Sequence, residues 1–108
     1  MKLEMEIVGV TDFKKLDFIK QIKDPNKIII NDKNIFIKFD YLVKKELLFK
    51  AQSKEGFTKL SIYKHIYEGY VRLSSMGFLR EIHHLDDLLI ESIQYDPISK
   101  ICSLHIGS

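Results

Sequence analysis

The sequence predicts an α+β domain in which an antiparallel or mixed sheet of about five or six strands packs one face against one main helix. Three observations predict this fold. Residues 2–8 alternate apolar and polar side chains with the period of a strand. Residues 59–75 repeat apolar side chains at helical spacing. Residues 88–106 contain two strand-like runs joined by a proline turn. The length of 108 residues fits a single globular domain over 1–108.

The first quarter of the chain gives one strand and one turn. Leu3, Met5 and Ile7 occupy every second position, so they predict a half-buried strand. Thr11 fits the N-cap of a short helix, and irregular structure is an equal alternative there. Residues 24–27 combine Asp, Pro and Asn, which predicts a turn.

The next segment predicts more strands. Ile28–Ile30 and residues 35–39 are β-branched and aromatic runs separated by residues 31–34, a pattern that predicts a β-hairpin. Residues 46–52 have an ambiguous period, and we prefer a strand there.

The clearest predicted element is a helix over residues 59–75. Thr58 is placed to cap its first N–H groups, and Phe57 is placed to pack against Ile62. Gly77 stands where a left-handed residue is expected to end the helix. One predicted helix face carries the apolar residues Tyr63, Ile66, Tyr67, Tyr70 and Val71.

The last part of the chain predicts a β-hairpin. Residues 88–95 and 101–106 read as strands, and residues 96–99 fit a type I turn with Pro97 at its second position. A sheet built from these strands and the earlier ones would carry the helix on one face.

Composition indicates an intracellular protein. Hydrophobic residues make up 45% and charged residues 30%, as in ordinary globular domains. Cys102 is the only cysteine, which excludes an intrachain disulfide and favours a reducing compartment. Since no apolar run reaches about 18 residues, and no signal-peptide core opens the chain, we expect neither a membrane protein nor a secreted one.

The sequence contains none of the familiar catalytic motifs. Phosphate-binding glycine loops and the GxSxG, HExxH and CxxC patterns are all missing. We therefore expect a protein that is not an enzyme and that holds no cofactor. His65 falls on the polar face of the predicted helix, where contact with solvent is the expected role.

The remaining histidines and the cysteine raise a metal or nucleophile hypothesis. His83 and His84 stand near residues 86–87, both Asp, and a zinc site built on them would need a remote ligand such as His105 or Cys102. Neighbouring side chains on an extended segment diverge, so we expect a polar connector and no metal site. Cys102 and His105 are three apart on a predicted strand and should point to opposite faces, which disfavours a thiol–imidazole pair.

Net charge argues against a general polyanion binder, because 17 basic residues are nearly balanced by 15 acidic ones. The first half nevertheless holds 12 lysines against 8 acidic residues. Lysines beside the aromatic strand of residues 36–41 are typical of a surface that binds single-stranded nucleic acid. The candidate contacts are Lys14, Lys15, Lys20, Lys23, Lys44 and Lys45.

Three tyrosines of the predicted helix form a candidate interface. Tyr63, Tyr67 and Tyr70 lie on one helix face, and tyrosine is enriched in contact surfaces. With this spacing, however, such a stripe more often covers a sheet as part of the core.

Residues 56–108 resemble small uncharacterised proteins encoded by large DNA viruses of amoebae. The resemblance rests on the order of Gly56-Phe57-Thr58, Ile66-Tyr67-Glu68-Gly69-Tyr70, a polar His/Asp connector, Leu89-Ile90-Glu91-Ser92-Ile93 and Gly107-Ser108. It implies a viral origin, and with it a place in the host cytoplasm or in the virion. It implies no activity.

These observations favour a non-enzymatic protein-interaction or structural domain. We expect it to act through contacts with a protein partner or through self-association as a homo-oligomer. The alternative is a single-stranded nucleic-acid-binding module that uses the lysines and aromatics of the first half.

Overall fold

A mixed six-stranded sheet with one α-helix on one face forms the centre of the molecule, which confirms the predicted α+β class. The computed structural model describes residues 1–15, 17–80 and 85–107. The strands are β1 (Lys2–Leu3), β2 (Val8–Gly9), β3 (Ile28–Ile30), β4 (Asn34–Phe39), β5 (Leu47–Gln52), β6 (Phe57–Thr58), β7 (Leu89–Asp96) and β8 (Ile101–Gly107), and the helix α1 is Lys59–Ser75. Short 3₁₀ turns occupy Val10–Lys14, Phe18–Gln21 and Leu85–Asp87.

The main sheet has the strand order β1-β7-β8-β4-β5. Strand β2 pairs with the same edge of β7 as β1 does, at a different position along β7. Strands β7 and β8 form the predicted hairpin, in which the Lys100 N–H donates to the Asp96 carbonyl at 2.8 Å. Strand β4 runs parallel to β8 and antiparallel to β5. Strands β3 and β6 form a separate two-stranded sheet.

Helix α1 has the predicted bounds and the predicted cap. The Thr58 hydroxyl accepts a hydrogen bond from the Ser61 N–H at 3.1 Å, which satisfies one of the free donors of the first turn. Gly77 follows the helix with φ of 72°, the left-handed conformation that glycine adopts without a Cβ clash.

The helix packs on the face of the sheet that alternation in β4 buries. Ile35, Ile37 and Phe39 are at most 2% exposed. Gly69 lets the helix approach this face, because a Cβ there would overlap the Phe39 ring. The Tyr70 ring meets Phe39 edge-on, with centroids 5.1 Å apart. The opposite face of the sheet is called the outer face below.

The N-terminal strand predicted over residues 2–8 is interrupted. Leu3 pairs with Ile93 and Val8 pairs with Ile90, so four residues lie between the two pairs on this strand and two on its partner. Ile7 is 67% exposed, contrary to its predicted inward position. The bulge turns the carboxylate of Glu6 toward α1.

Two local predictions were wrong. Ile28–Ile30 does not form a hairpin with β4, because β3 pairs with β6 and leaves the main sheet. The connecting residue Asp32 accepts hydrogen bonds from the Tyr95 hydroxyl and from Lys100 Nζ, which fixes this crossing at the β7–β8 turn.

The second wrong prediction is the cap at Thr11. Thr11 lies inside a 3₁₀ turn, where its hydroxyl donates to Asp86. The group that receives a free N–H at the start of this turn is the Asp12 carboxylate, which accepts from the Gly9 N–H at 2.7 Å. The predicted turn at residues 24–27 is confirmed by the hydrogen bond from the Lys27 N–H to the Asp24 carbonyl at 3.0 Å.

Candidate functional site

The far edge of the sheet is formed by β5, whose only strand partner among the described residues is β4. In an antiparallel pair, alternate residues turn both backbone groups toward the partner strand. The Ser53 N–H donates to the Lys33 carbonyl at 2.8 Å, and the Phe36 N–H donates away from β5 to the Lys100 carbonyl. The residues of β5 that face β4 are therefore Leu47, Phe49 and Ala51.

The other residues of β5 turn their backbone groups to the outside. These residues are Leu48, Lys50 and Gln52, and all three are exposed. Their N–H and C=O groups take part in no backbone hydrogen bond outside the strands across residues 1–15, 17–80 and 85–107. This side of β5 is called the free edge. It offers six backbone groups to an incoming chain.

The outer face beside the free edge carries apolar side chains. Phe36 is 37% exposed and Leu48 is 46% exposed. Phe36 aligns with Ile101 of β8 on one side and with Lys50 of β5 on the other. Lys38 aligns with Leu48. Apolar and cationic side chains therefore alternate across this part of the sheet.

A groove of about 240 Å³ lies between β5 and α1. Its floor contains Ile37, Ala51 and the half-buried Phe49. Its helical wall is the stripe of residues 65, 68, 69 and 72, which are spaced to share one helix face. Helix α1 lies close to β4 at Gly69 and covers β5 less completely. The space left between α1 and β5 is the groove.

The charged side chains at the groove belong to α1. The Arg72 guanidinium lies 5.4 Å from the centroid of the Phe49 ring, a cation–π contact that holds it over the cleft. Lys50 borders the groove on β5, but its side chain belongs to the outer face, which it shares with Phe36. The carboxylate of Glu68 is the one acidic group in the lining, and it lies 4.0 Å from Lys64 Nζ.

His65 also lines the groove, which corrects the predicted solvent role. It is half-buried, and its ring meets Phe57 edge-on at 5.7 Å between centroids. Burial lowers the pKa of His65, an effect that Glu68 partly offsets and Lys64 reinforces. The imidazole is therefore neutral at pH 7 and offers a hydrogen bond instead of a charge.

The tyrosine stripe belongs mainly to the core. Tyr63 is 2% exposed and Tyr70 is 0% exposed, so neither has surface to offer as an interface. Their hydroxyls donate to the carbonyls of Glu6 at 2.7 Å and Tyr41 at 3.3 Å. Tyr67 is partly exposed. The core alternative therefore holds for Tyr63 and Tyr70, because α1 turns this face toward the sheet.

The candidate nucleic-acid lysines near the first 3₁₀ turns lie on the helix side of the sheet. Lys14 Nζ is 5.9 Å from the centroid of the Tyr67 ring, Lys15 pairs with Asp12 at 2.9 Å, and Lys20 lies 3.6 Å from Asp17. Because α1 covers the opposite face from Phe36, the fold does not bring these lysines to the exposed aromatic ring.

The other candidate lysines are dispersed as well. The side chain of Lys23 is exposed, and its backbone binds Glu6 and Lys59 at the N-terminal edge. Lys44 and Lys45 are exposed in the segment that meets Phe78 after α1, where the Lys44 N–H donates to the Phe78 carbonyl at 2.8 Å. The six lysines do not form one surface with the aromatic strand.

The positions of the described His, Cys, Asp and Glu side chains support neither a metal site nor a nucleophilic cysteine. His83 and His84 lie outside the described residues. Among residues 1–15, 17–80 and 85–107, no three His, Cys, Asp or Glu side chains gather as metal ligands would. Cys102 is 0% exposed while His105 is exposed on the opposite face. Burial raises the pKa of the Cys102 thiol to about 12, so the thiol stays protonated at pH 7.

Sequence reasoning missed the free edge and the groove. The alternation of β5 was visible, but its position at the edge depends on which strands pair across the chain. The groove depends on the contact of Gly69 with Phe39, two residues that are 30 positions apart. A glycine inside a strongly predicted helix was the one available signal of a close approach.

Comparison of the chain with protein-family models, with curated proteins and with solved structures finds no match. No helix in the described part of the chain is long and apolar enough to cross a membrane.

Proposed function

We propose that this domain is a non-enzymatic protein-interaction module that binds an extended segment of a partner protein by strand addition to β5. The observation that carries the proposal is the free edge, where Leu48, Lys50 and Gln52 turn their backbone groups away from β4. In strand addition, main-chain hydrogen bonds supply affinity, and neighbouring pockets supply specificity. The free edge supplies the first, and the groove beside it supplies the second.

A partner segment suits this edge better than a second copy of the chain. Lysine on an edge strand is a common protection against self-pairing. In a two-fold antiparallel pairing centred on Lys50, the two ammonium groups would stand directly opposite each other, which is destabilising. The same register places Leu48 of each copy opposite Gln52 of the other, so repulsion between the two lysines weakens this pairing as a whole.

The test is a selection of displayed extended peptides against the wild-type chain, followed by binding to two variants of Lys50. Lys50→Pro removes an outward N–H, and a proline is tolerated at that position of an edge strand. Lys50→Ala serves as the control, since it removes the same exposed side chain and keeps the outward N–H. We expect selected peptides to lose binding to Lys50→Pro and to keep it with Lys50→Ala. Selected peptides that bind both variants equally would contradict strand addition.

Sedimentation velocity over a range of concentrations tests the second-copy alternative. The proposal predicts a monomer. A dimer that Lys50→Pro dissociates would show that the edge is filled by self-association, and the partner proposal would then be wrong.

One observation supports the second candidate, a single-stranded nucleic-acid surface. Phe36 stands exposed on the outer face with Lys38 two residues along the strand and Lys50 directly across from it. An aromatic ring between lysines is suited to stack a base and contact its phosphates. The surface differs from the one predicted, because the residues are Phe36, Lys38 and Lys50 instead of the lysines on the helix side.

Fluorescence anisotropy of a labelled single-stranded oligonucleotide tests this candidate. Salt-dependent binding that Phe36→Ala weakens, and that Lys20→Ala leaves unchanged, would support it. Absence of binding at low salt would remove it. The viral origin suggested by residues 56–108, with a place in the host cytoplasm or virion, stays a prediction.

A further inference from the structure

The groove beside the free edge has a charge pattern that selects what the edge binds. We infer that the partner segment is an acidic strand, with carboxylate side chains facing the groove and apolar side chains facing the outer face. This inference rests on the proposed strand addition and specifies its ligand.

The first step is the direction of the side chains on an added strand. Successive side chains of a strand point to opposite faces, and directly opposed residues of an antiparallel pair share a face. A residue opposite Phe49 would therefore point toward α1 and enter the groove. Residues opposite Leu48 and Lys50 would point to the outer face.

The second step is the charge of the groove. A side chain entering it would lie between the Arg72 guanidinium, held over the Phe49 ring, and the wall at His65. The permanent charges of the lining on this face are Arg72 and Glu68, since the Lys50 side chain lies on the outer face. Because the Glu68 carboxylate lies 4.0 Å from Lys64 Nζ, the field at the groove favours an anion. Guanidinium recognises carboxylate by paired hydrogen bonds, and the neutral imidazole of His65 offers another donor.

The third step is the opposite face of the same added strand. Leu48 is 46% exposed, and Phe36 on the neighbouring strand is 37% exposed. Phe36 and Leu48 are diagonal neighbours, since Phe36 pairs with Lys50 and Leu48 pairs with Lys38. Apolar side chains of the partner would extend this patch and cover it. The pattern that fits both faces alternates acidic and apolar residues.

The experiment uses three synthetic probes that differ only in charge. They are acetyl-Thr-Glu-Val-Glu-Val-Glu-Thr-amide and the two versions in which Gln or Lys replaces every Glu. Binding of each fluorescently labelled probe to the full chain is measured by anisotropy at constant ionic strength. The chain variants are Arg72→Glu, Lys50→Pro and the charge-matched control Lys20→Glu, whose side chain is 83% exposed and does not line the groove. Circular dichroism confirms that each variant is folded.

We expect the Glu probe to bind more tightly than the Gln probe, and the Lys probe to bind least. Arg72→Glu should weaken the Glu probe by about tenfold, the loss of one charge-assisted contact and its replacement by repulsion. Lys20→Glu should leave binding unchanged, and Lys50→Pro should abolish it.

The two proposals fail in different ways. If the Glu and Gln probes bind equally and both are lost with Lys50→Pro, strand addition stands and the acidic preference is wrong. If no probe binds, or if binding survives Lys50→Pro, strand addition itself is overturned. A weakening by Lys20→Glu equal to that by Arg72→Glu would show a general charge effect and would also overturn the assignment to the groove.

Discussion

The two edges of the main sheet are built in opposite ways. At the N-terminal edge, β1 and β2 contain two residues each, and a bulge separates them. At the far edge, β5 contains six residues in unbroken register with β4. Interruption and covering are the usual means of preventing a sheet edge from pairing with another chain. The N-terminal edge has this protection, and the β5 edge lacks it apart from Lys50.

The bulge at the N-terminal edge is fixed by a buried cation. Lys59, the first residue of α1, is 7% exposed. Its ammonium donates to the two carboxylate oxygens of Glu6 at 2.9 and 3.2 Å and to the Lys23 carbonyl at 2.8 Å. The Tyr63 hydroxyl donates to the Glu6 carbonyl. These bonds hold the interrupted strand against the helix, whereas nothing comparable crosses the groove at β5 in the described part of the chain.

The largest predicted effect is a difference in the free energy of unfolding between two proline variants at adjacent positions of β5. Ala51 turns its N–H toward Ile35 of β4, and Lys50 turns its N–H outward. Ala51→Pro should lower the free energy of unfolding by about 4 kcal/mol, because it breaks a ladder bond and leaves a buried carbonyl unpaired. Lys50→Pro should cost about 1 kcal/mol or less. Urea denaturation followed by circular dichroism measures both, and equal losses would show that the edge is not free.

A smaller loss of stability is expected when the contact between Lys59 and Glu6 at the N-terminal edge is removed. Lys59→Met removes the ammonium and leaves the Glu6 carboxylate and the Lys23 carbonyl without their donor. Since the Glu6 side chain is 26% exposed, water offsets part of the loss, and we expect about 2 kcal/mol of destabilisation. Lys64→Met is the matched control, because Lys64 is on the same helix and its side chain is 52% exposed. A loss no larger than that of the control would contradict the structural role of the pair.

The sequence predicts the elements of this fold that have local signals, and it does not predict the strand pairings between distant parts of the chain. Helix α1 was predicted with its bounds, since its cap, stripe and terminal glycine are all local signals. Residues 46–52 were predicted as a strand, and the hairpin β7–β8 was predicted from its turn. The partner of β3 was not, because pairing with β6 spans a long stretch of chain that local periodicity does not describe.

The candidate site was less predictable than the fold, for a similar reason. The tyrosines and lysines were singled out by residue type and spacing, and tertiary packing then decided their exposure. Tyr63 and Tyr70 are buried by the sheet, while Lys14 is separated from Phe36 by it. Arg72 is placed over Phe49 at the groove only through the contact of α1 with β4.

The smallest predicted effect is a pH dependence at the N-terminal edge. Burial raises the pKa of Glu6, but hydrogen bonds from Lys59 and from the Lys23 N–H outweigh burial and hold it below its ordinary value of 4.5. A lowered folded pKa means that the carboxylate contributes stability above 4.5, and this contribution is lost as pH falls through the folded value. The difference in unfolding free energy between the wild type and Glu6→Gln should therefore shrink between about pH 7 and pH 3.

The same pH series contains its own control. Asp17 is an exposed acid whose side chain is 85% exposed, and Asp17→Asn should differ from the wild type by a small amount at every pH. A Glu6→Gln difference that stays constant across the series would contradict the ionic contact at this edge.

Amide hydrogen exchange along β5, measured by NMR, tests the free edge most directly. In the isolated protein, the N–H groups of Leu47, Phe49 and Ala51 should exchange slowly, and those of Leu48, Lys50 and Gln52 should exchange fast. Addition of the Glu-containing probe should slow the fast set and leave the slow set unchanged. If the two sets are equally protected without a partner, the edge is already occupied, and strand addition at β5 is contradicted.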